Sequence, residues 1–263
     1  GHNEGDEPAF TQPLMYSKIA EQESTRRLYV DQLVQEGEMP LQRANEIEQE
    51  VRDRLEKEFQ AAANYKPNKA DWLDRKWSHL ATAPTSEERR GETDLPLKEL
   101  QRIGLALVTL PSKFNLHPRL ERVMNARRKM IETGANIDWA MGEALAFGSL
   151  ADEGFLVRLS GQDVQRGTFS QRHAHLIDQT TEEHFVPLMN ISKSQAQFVA
   201  HNSPLSEAAI LGFEYGYSLV EPDALICWEA QFGDFANGAQ VIIDQFISSA
   251  ERKWLRMSGI VML

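Results

Sequence analysis

The amino-acid sequence predicts an α/β fold: a parallel sheet flanked by helices, with a helical segment and a linker ahead of it. Three observations carry this. Residues 17–63 are patterned as helix and are strongly polar. The stretch Ala83–Pro96 (APTSEERRGETDLP) has the Pro, Ser, Thr and charge content of a linker. From Phe155 onward, short apolar runs bounded by turn residues alternate with helical stretches, an order that implies a parallel α/β sheet.

The elements follow in order. Residues 1–16 read as a loop rich in polar residues and proline. A helix is expected from about Ser17 to Glu36, stopped by Gly37 as a C-cap. Pro40 suits a first helical position, and a second helix should run to about Ala63. Its surface from Glu46 to Gln60 alternates Glu with Arg, the pattern of a solvated helix laced with i,i+4 ion pairs. Leu97–Leu110 and Leu120–Thr133 carry apolar residues at helical spacing, with Gly134 as a stop. Trp139–Asp152 reads as a further helix with Ala, Leu and Phe on one face. Phe155–Leu159 and Ala224–Trp228 read as strands; Ser206–Leu219 and about Gly238–Trp254 read as helices. Gly259–Leu263 reads as a buried strand, and the opening GHNEGDEP as a loop. Both ends therefore look cut, which predicts an internal segment of a longer protein.

Composition bounds the function. The chain has 263 residues, 41% hydrophobic and 25% charged, ordinary values for a globular protein with a core. No run of 18 apolar residues occurs, so no membrane span is expected. The opening residues lack the basic region and apolar core of a signal peptide. A single cysteine, Cys227, rules out an internal disulfide and fits a reducing compartment. The net charge of −11, from 28 basic and 39 acidic residues, argues against a general nucleic-acid binder. A local basic pocket for an anionic substrate stays compatible with that balance.

Four segments carry candidate chemistry. In SPLSEAAILGFEYGYSL, Ser203-Pro204 makes a turn and Ser206 is placed to cap a helix whose first turn holds Glu207. Helix-dipole stabilisation alone explains a glutamate there. The helix that follows is largely apolar, however, with only Glu214 charged. A carboxylate at its mouth can be desolvated and poised for proton transfer. In WEAQFGDFANGAQVIIDQFISSAERKW, a strand end near Trp228 leads into a loop holding Phe232 and Phe235. Rings in that position either stack on a cofactor or tuck the loop onto the core. In GHNEGDEP, Gly1 lets the backbone approach an anion and His2 is a candidate donor to phosphate; a surface-loop histidine is the plainer reading. RLSGQDVQRGTFSQRHAH is a strand followed by a loop rich in hydrogen-bonding side chains, with Arg166, Arg172 and His173 as its cationic members. His184 and His201 sit among polar residues and read as solvated. The sequence contains no Walker loop, zinc-type Cys/His spacing, GxSxG elbow or GxGxxG.

Together these segments resemble the thiamine-diphosphate-dependent component of 2-oxoglutarate dehydrogenase, along essentially the whole chain. GHNEGDEPAFTQPLMY is similar to the end of that family's diphosphate-binding domain. RLSGQDVQRGTFSQRHA and WEAQFGDFANGAQVIIDQFISS are similar to its pyrimidine-binding domain. The resemblance implies a thiamine-diphosphate-binding fold. Residues 1–82 would close the diphosphate-binding domain, 83–135 would be linker and connecting helices, and 136–263 would begin a transketolase-like pyrimidine-binding domain. It implies that Glu207 hydrogen-bonds a ring nitrogen of the aminopyrimidine, and that His2, with Gly1, lies near the diphosphate. Leu205 would bind the cofactor, and either Phe232 or Phe235 would pack on the pyrimidine. Mg2+ ligands would lie upstream of Gly1, leaving none in this stretch, so the stretch alone would be inactive.

The resemblance further implies oxidative decarboxylation of 2-oxoglutarate, with the succinyl unit passed to a lipoyl domain of dihydrolipoyl succinyltransferase. Dihydrolipoyl dehydrogenase would be a further partner in the complex. The enzyme would be a homodimer whose His2 and Glu207 serve two different sites. It would be cytoplasmic in a bacterium, or in the mitochondrial matrix of a eukaryote, with no nucleic acid or membrane as partner. A 2-oxoadipate homologue and a non-catalytic scaffold relative are the alternatives.

Overall fold

The computed structural model describes Gly5 and residues 7–66, 75–80 and 91–263. Contacts divide the chain into two compact units, Gly1–Asn68 and Lys69–Leu263. Gly1 and His2 lie outside the described residues.

The first unit is helical. α1 (Pro13–Glu21) and α2 (Thr25–Gln35) replace the single helix expected over 17–36. The break has a local cause: the Ser24 hydroxyl accepts a hydrogen bond from the Arg27 amide at 3.3 Å, and so caps a new helix. Gly37, at φ 76°, ends α2 as expected. α3 (Leu41–Ala62) begins directly after Pro40. It carries the expected polar ladder, including Arg52–Glu48 at 2.7 Å, and Arg26 of α2 reaches the same Glu48 at 2.7 Å.

The second unit is the α/β part. α4 (Leu97–Leu107), α5 (Pro118–Thr133) and α6 (Trp139–Asp152) pack together ahead of the sheet. α4 meets α5 at Gly104, where a Cβ would fall 2.4 Å from Ile131 Cδ1. Asp138 caps α6 by accepting from the Met141 amide at 2.8 Å, and Gly134 ends α5 at φ 64°. The strands β1 (Val157–Gly161), β4 (Phe198–Asn202), β5 (Leu225–Glu229) and β6 (Val261–Met262) form a parallel sheet in the order β4-β1-β5-β6. Register is fixed by Val157 opposite both Phe198 and Leu225, and by Cys227 opposite Val261. A small antiparallel hairpin, β2 (Leu176–Ile177) with β3 (His184–Phe185), lies outside this sheet.

Alternation along the strands divides the core. Val157, Leu159, Phe198, Ala200 and Cys227 join the cluster built by α4, α5 and α6. Trp228 joins Ile210 and Leu211 of α7 (Glu207–Val220) in a second cluster. Burial pushes the Cys227 thiol up to about 12, so it is an inert core group.

Two expectations need correction, and one strand carries no sequence signal. The helix expected over 238–254 is broken into a 3-10 turn (Asp234–Ala239), one α turn (Gln240–Ile242), a π turn (Ile243–Ile247) and a short α-helix (Ala250–Trp254). The π turn is closed by Ser248 N donating to Ile243 O at 2.9 Å. The last strand is not buried: it pairs with β5 alone, and Val261 and Met262 are 36% and 45% exposed. β4 falls in Phe198–Asn202, a run that turns polar after three residues and lacks a strong strand pattern.

Candidate functional site

Three connections leave the carboxyl ends of neighbouring parallel strands, the edge where open α/β sheets bind ligands. β1 leads into the loop 162–175, β4 into 203–206 and then α7, and β5 into 230–239. The strand ends pass close together: a Cβ on Gly161 would sit 2.3 Å from Glu229 O, so only glycine fits there. Ser203 N donates to Gly161 O at 2.8 Å and draws the β4 connection to the same point.

Glu207 is the first residue of α7 and is half-buried. Its side chain lies against the 234–239 turn: a Cβ on Gly238 would stand 3.8 Å from Glu207 Oε2. The expected cap is absent, because the Ser206 side chain makes no capping hydrogen bond. Leu205, immediately before it, is half exposed.

The aromatic loop presents its rings outward. Phe232 and Phe235 are 51% and 50% exposed, so the reading in which they merely tuck the loop onto the core does not hold. Their centroids stand 6.3 Å apart, and Phe169 packs edge-on to Phe232 at 5.4 Å. Phe232 has φ 57°, at the third position of a turn closed by Gly233 N donating to Ala230 O. A bulky residue in the left-handed region costs about 1–3 kcal/mol. Phe169 was missed by the sequence reading, although it stands inside a loop singled out for its polar residues.

Arg172 ties the loops to the frame. Its guanidinium is buried between Glu143 of α6, with contacts at 2.5 and 3.0 Å, and Glu229 at the end of β5; Nη1 also donates to Val164 O at 3.0 Å. Burial opposes the charge, but the hydrogen bonds to both carboxylates outweigh it and hold the Arg172 pKa above its ordinary value. Gln231 Nε2 donates to Asp163 Oδ2 at 3.1 Å and joins the β5 loop to the β1 loop. A recess of about 300 Å³ opens among Thr168, Phe169, Glu229, Phe232 and Gly233.

Of the other expected cations, Arg166 is exposed and pairs with Asp163 at 3.3 Å. Burial lowers the pKa of His173, whose ring is held by Ser170 O at 2.8 Å. His184 and His201 are exposed. Among the described residues, no group of three or more His, Cys, Asp or Glu side chains is arranged to hold a metal ion.

The site therefore offers a half-buried carboxylate at a helix N-terminus, a fan of exposed aromatic rings and a braced recess. Such groups have the chemistry to stack on a flat ring and to hydrogen-bond a ring nitrogen.

Residues 135–263 match the family model of the transketolase pyrimidine-binding domain, and residues 1–71 match that of the dehydrogenase E1 component. The whole chain is 58% identical, over 264 aligned positions, to the 2-oxoglutarate dehydrogenase E1 component of Brucella anthropi. It is 57% identical to those of Brucella canis and Brucella suis. It spans 26% of the length of these relatives.

Proposed function

We propose, for a chain that resembles 2-oxoglutarate dehydrogenase E1 components throughout and whose residues 135–263 form a transketolase-type pyrimidine-binding domain, that it supplies the pyrimidine side of a thiamine diphosphate site. The observation that carries this is Glu207 in the first turn of α7, packed against Gly238 of the loop that also carries exposed Phe232 and Phe235. When bound, the cofactor provides a nucleophilic thiazolium carbon and an electron sink for loss of carbon dioxide from a 2-oxo acid. The residues of this chain bind, orient and move a proton. Glu207 would hydrogen-bond a ring nitrogen of the aminopyrimidine and hold the proton shared with it. Leu205 and Phe232 or Phe235 pack on the pyrimidine faces, while Arg172 keeps the two flanking loops in place.

The whole enzyme carries out oxidative decarboxylation of 2-oxoglutarate and passes the succinyl unit to a lipoyl domain of dihydrolipoyl succinyltransferase, alongside dihydrolipoyl dehydrogenase. Mg2+ would be held by ligands outside this chain, and the diphosphate is the group that His2 would serve. A homodimer accounts for apolar residues that this chain leaves outside: Phe213 and Val220 of α7 are 56% and 71% exposed, and Val241 is 58% exposed. Among the described residues no helix is long and apolar enough to cross a membrane.

Glu207→Gln in the full-length enzyme tests the reading. Ferricyanide-coupled oxidation of 2-oxoglutarate should fall on the order of 10²-fold or more, the usual scale for losing a proton-transfer group. Titrated thiamine diphosphate should still bind. Turnover near that of the wild type would sink the assignment.

A further inference from the structure

α7 carries a second glutamate that the proposed chemistry does not use. Glu214 is fully buried, on a helix that packs Ile210 and Leu211 against Trp228. Its carboxylate is gripped from β1. Arg158 donates from Nε to Oε2 at 2.8 Å and from Nη2 to Oε1 at 2.8 Å, and the Ser160 hydroxyl donates to Oε1 at 2.7 Å. The Arg158 guanidinium is also covered by α7 itself, 4.9 Å from the Tyr217 ring centroid and 5.6 Å from that of Phe213.

Glu214 stands seven residues after Glu207, about two turns or 10.5 Å along the same helical face. Further bonds hold the far end of α7: Trp77 Nε1 donates to Leu219 O, and Ser218 bonds Ser258. Ahead of α7, Ser203 N holds the connection to Gly161 O at 2.8 Å; within α7 itself, the Glu214 cluster is the hydrogen-bonded anchor to the sheet nearest to Glu207 among the described residues. Apolar contacts between Leu211, Ile210 and Trp228 resist separation but define height and rotation poorly, since burial is non-directional. A bidentate guanidinium–carboxylate pair defines both. Stability is a weak reason for such a pair, because taking two charges out of water offsets most of their attraction.

We infer that Glu214 and Arg158, with Ser160, are positioning residues that lock α7 in register against β1 and so set the height of the Glu207 carboxylate at the sheet edge. This rests on Glu207 being the proton-sharing group proposed above.

The test uses the full-length enzyme with thiamine diphosphate and Mg2+, and compares wild type, Glu207→Gln, Arg158→Lys and the double variant Arg158→Met/Glu214→Leu. The apolar pair fills the same space without a buried charge, and the lysine keeps the charge without the fork. Hydrogen–deuterium exchange at the thiazolium carbon, read by acid quench, should slow about tenfold or more in the double variant and severalfold in Arg158→Lys, because small misplacements are costly in proton transfer. The thiamine diphosphate Kd should change by less than about threefold, since the aromatic loop is untouched. A crystal structure of the cofactor-free double variant should show α7 displaced along the sheet by roughly the 1.5 Å rise of one residue. Wild-type exchange in both variants, or α7 in its original register, would overturn the positioning role while leaving Glu207 in place. If Glu207→Gln exchanges at the wild-type rate, the underlying proton-sharing role fails, and the positioning role fails with it.

Discussion

Replacing Arg172 with methionine should be the most damaging single change in the frame of the site. Its side chain is 6% exposed, and those of its partners Glu143 and Glu229 are 10% and 15% exposed. Methionine fills much of the same space, yet it leaves two carboxylates facing each other with their shared cation removed. Breaking a buried ion pair by deleting one partner costs about 3–5 kcal/mol, because the remaining charge stays desolvated. At about 2–4 °C per kcal/mol for a unit of this size, the melting transition should fall by roughly 6–20 °C. Native-state hydrogen exchange at the β1 and β5 amides, where Glu229 sits, reads the same loss locally. The triple variant Arg172→Met/Glu143→Gln/Glu229→Gln removes the charges together and should recover most of the stability. A single variant that loses less than about 1 kcal/mol would show that the carboxylates relax into water. A triple variant as unstable as the single one would show that packing, not charge, is responsible.

Two further outcomes follow from the same site. Phe232→Ala or Phe235→Ala should weaken thiamine diphosphate binding by about 1 kcal/mol through lost stacking, roughly a fivefold rise in Kd by titration; unchanged affinity in both variants would leave the rings without a role in binding. Burial holds the pKa values of His173 and His175 below the ordinary 6.5, so below that pH the folded chain binds fewer protons than the unfolded one. Stability should therefore be full above about pH 6.5 and decline as the pH falls through the window below it, and His173→Gln with His175→Gln should flatten that decline in urea titrations at stepped pH.

Much of this was legible in the sequence, for reasons that can be named. Helices with strong local signals came out almost to the residue. Trp139–Asp152 has an Asp138 cap before an apolar face, and Leu120–Thr133 lies within α5 and ends at the left-handed Gly134. Glu207 was readable because a turn, a helix start and an apolar stretch coincide there. The failures share a different character. The 234–254 segment has a helical composition, but its 3-10 and π turns come from fitting the chain over α7 and β5, a tertiary demand with no local signature. β4 pairs with β1 along its whole length although its own pattern is weak, because a strand at the sheet's edge needs only one good face. Phe169 belongs to the site only because its loop folds back onto Phe232, a contact that no spacing rule anticipates.

The two faces of the sheet explain why the catalytic candidate sits on α7. Towards α6, the strands offer Val157, Leu159, Phe198, Ala200 and Cys227, an apolar surface that packs tightly and holds no directional partner. Towards α7, β1 offers Arg158 and Ser160, which meet Glu214, while β5 offers Trp228. The apolar face makes the unit stable, since burial there needs only shape and volume. The polar face contributes little net stability, but it specifies one alignment of one helix, and the first residue of that helix is Glu207. A site that moves a proton between groups a hydrogen bond apart needs its carboxylate held to a fraction of an ångström, and buried directional contacts supply that where apolar packing alone does not.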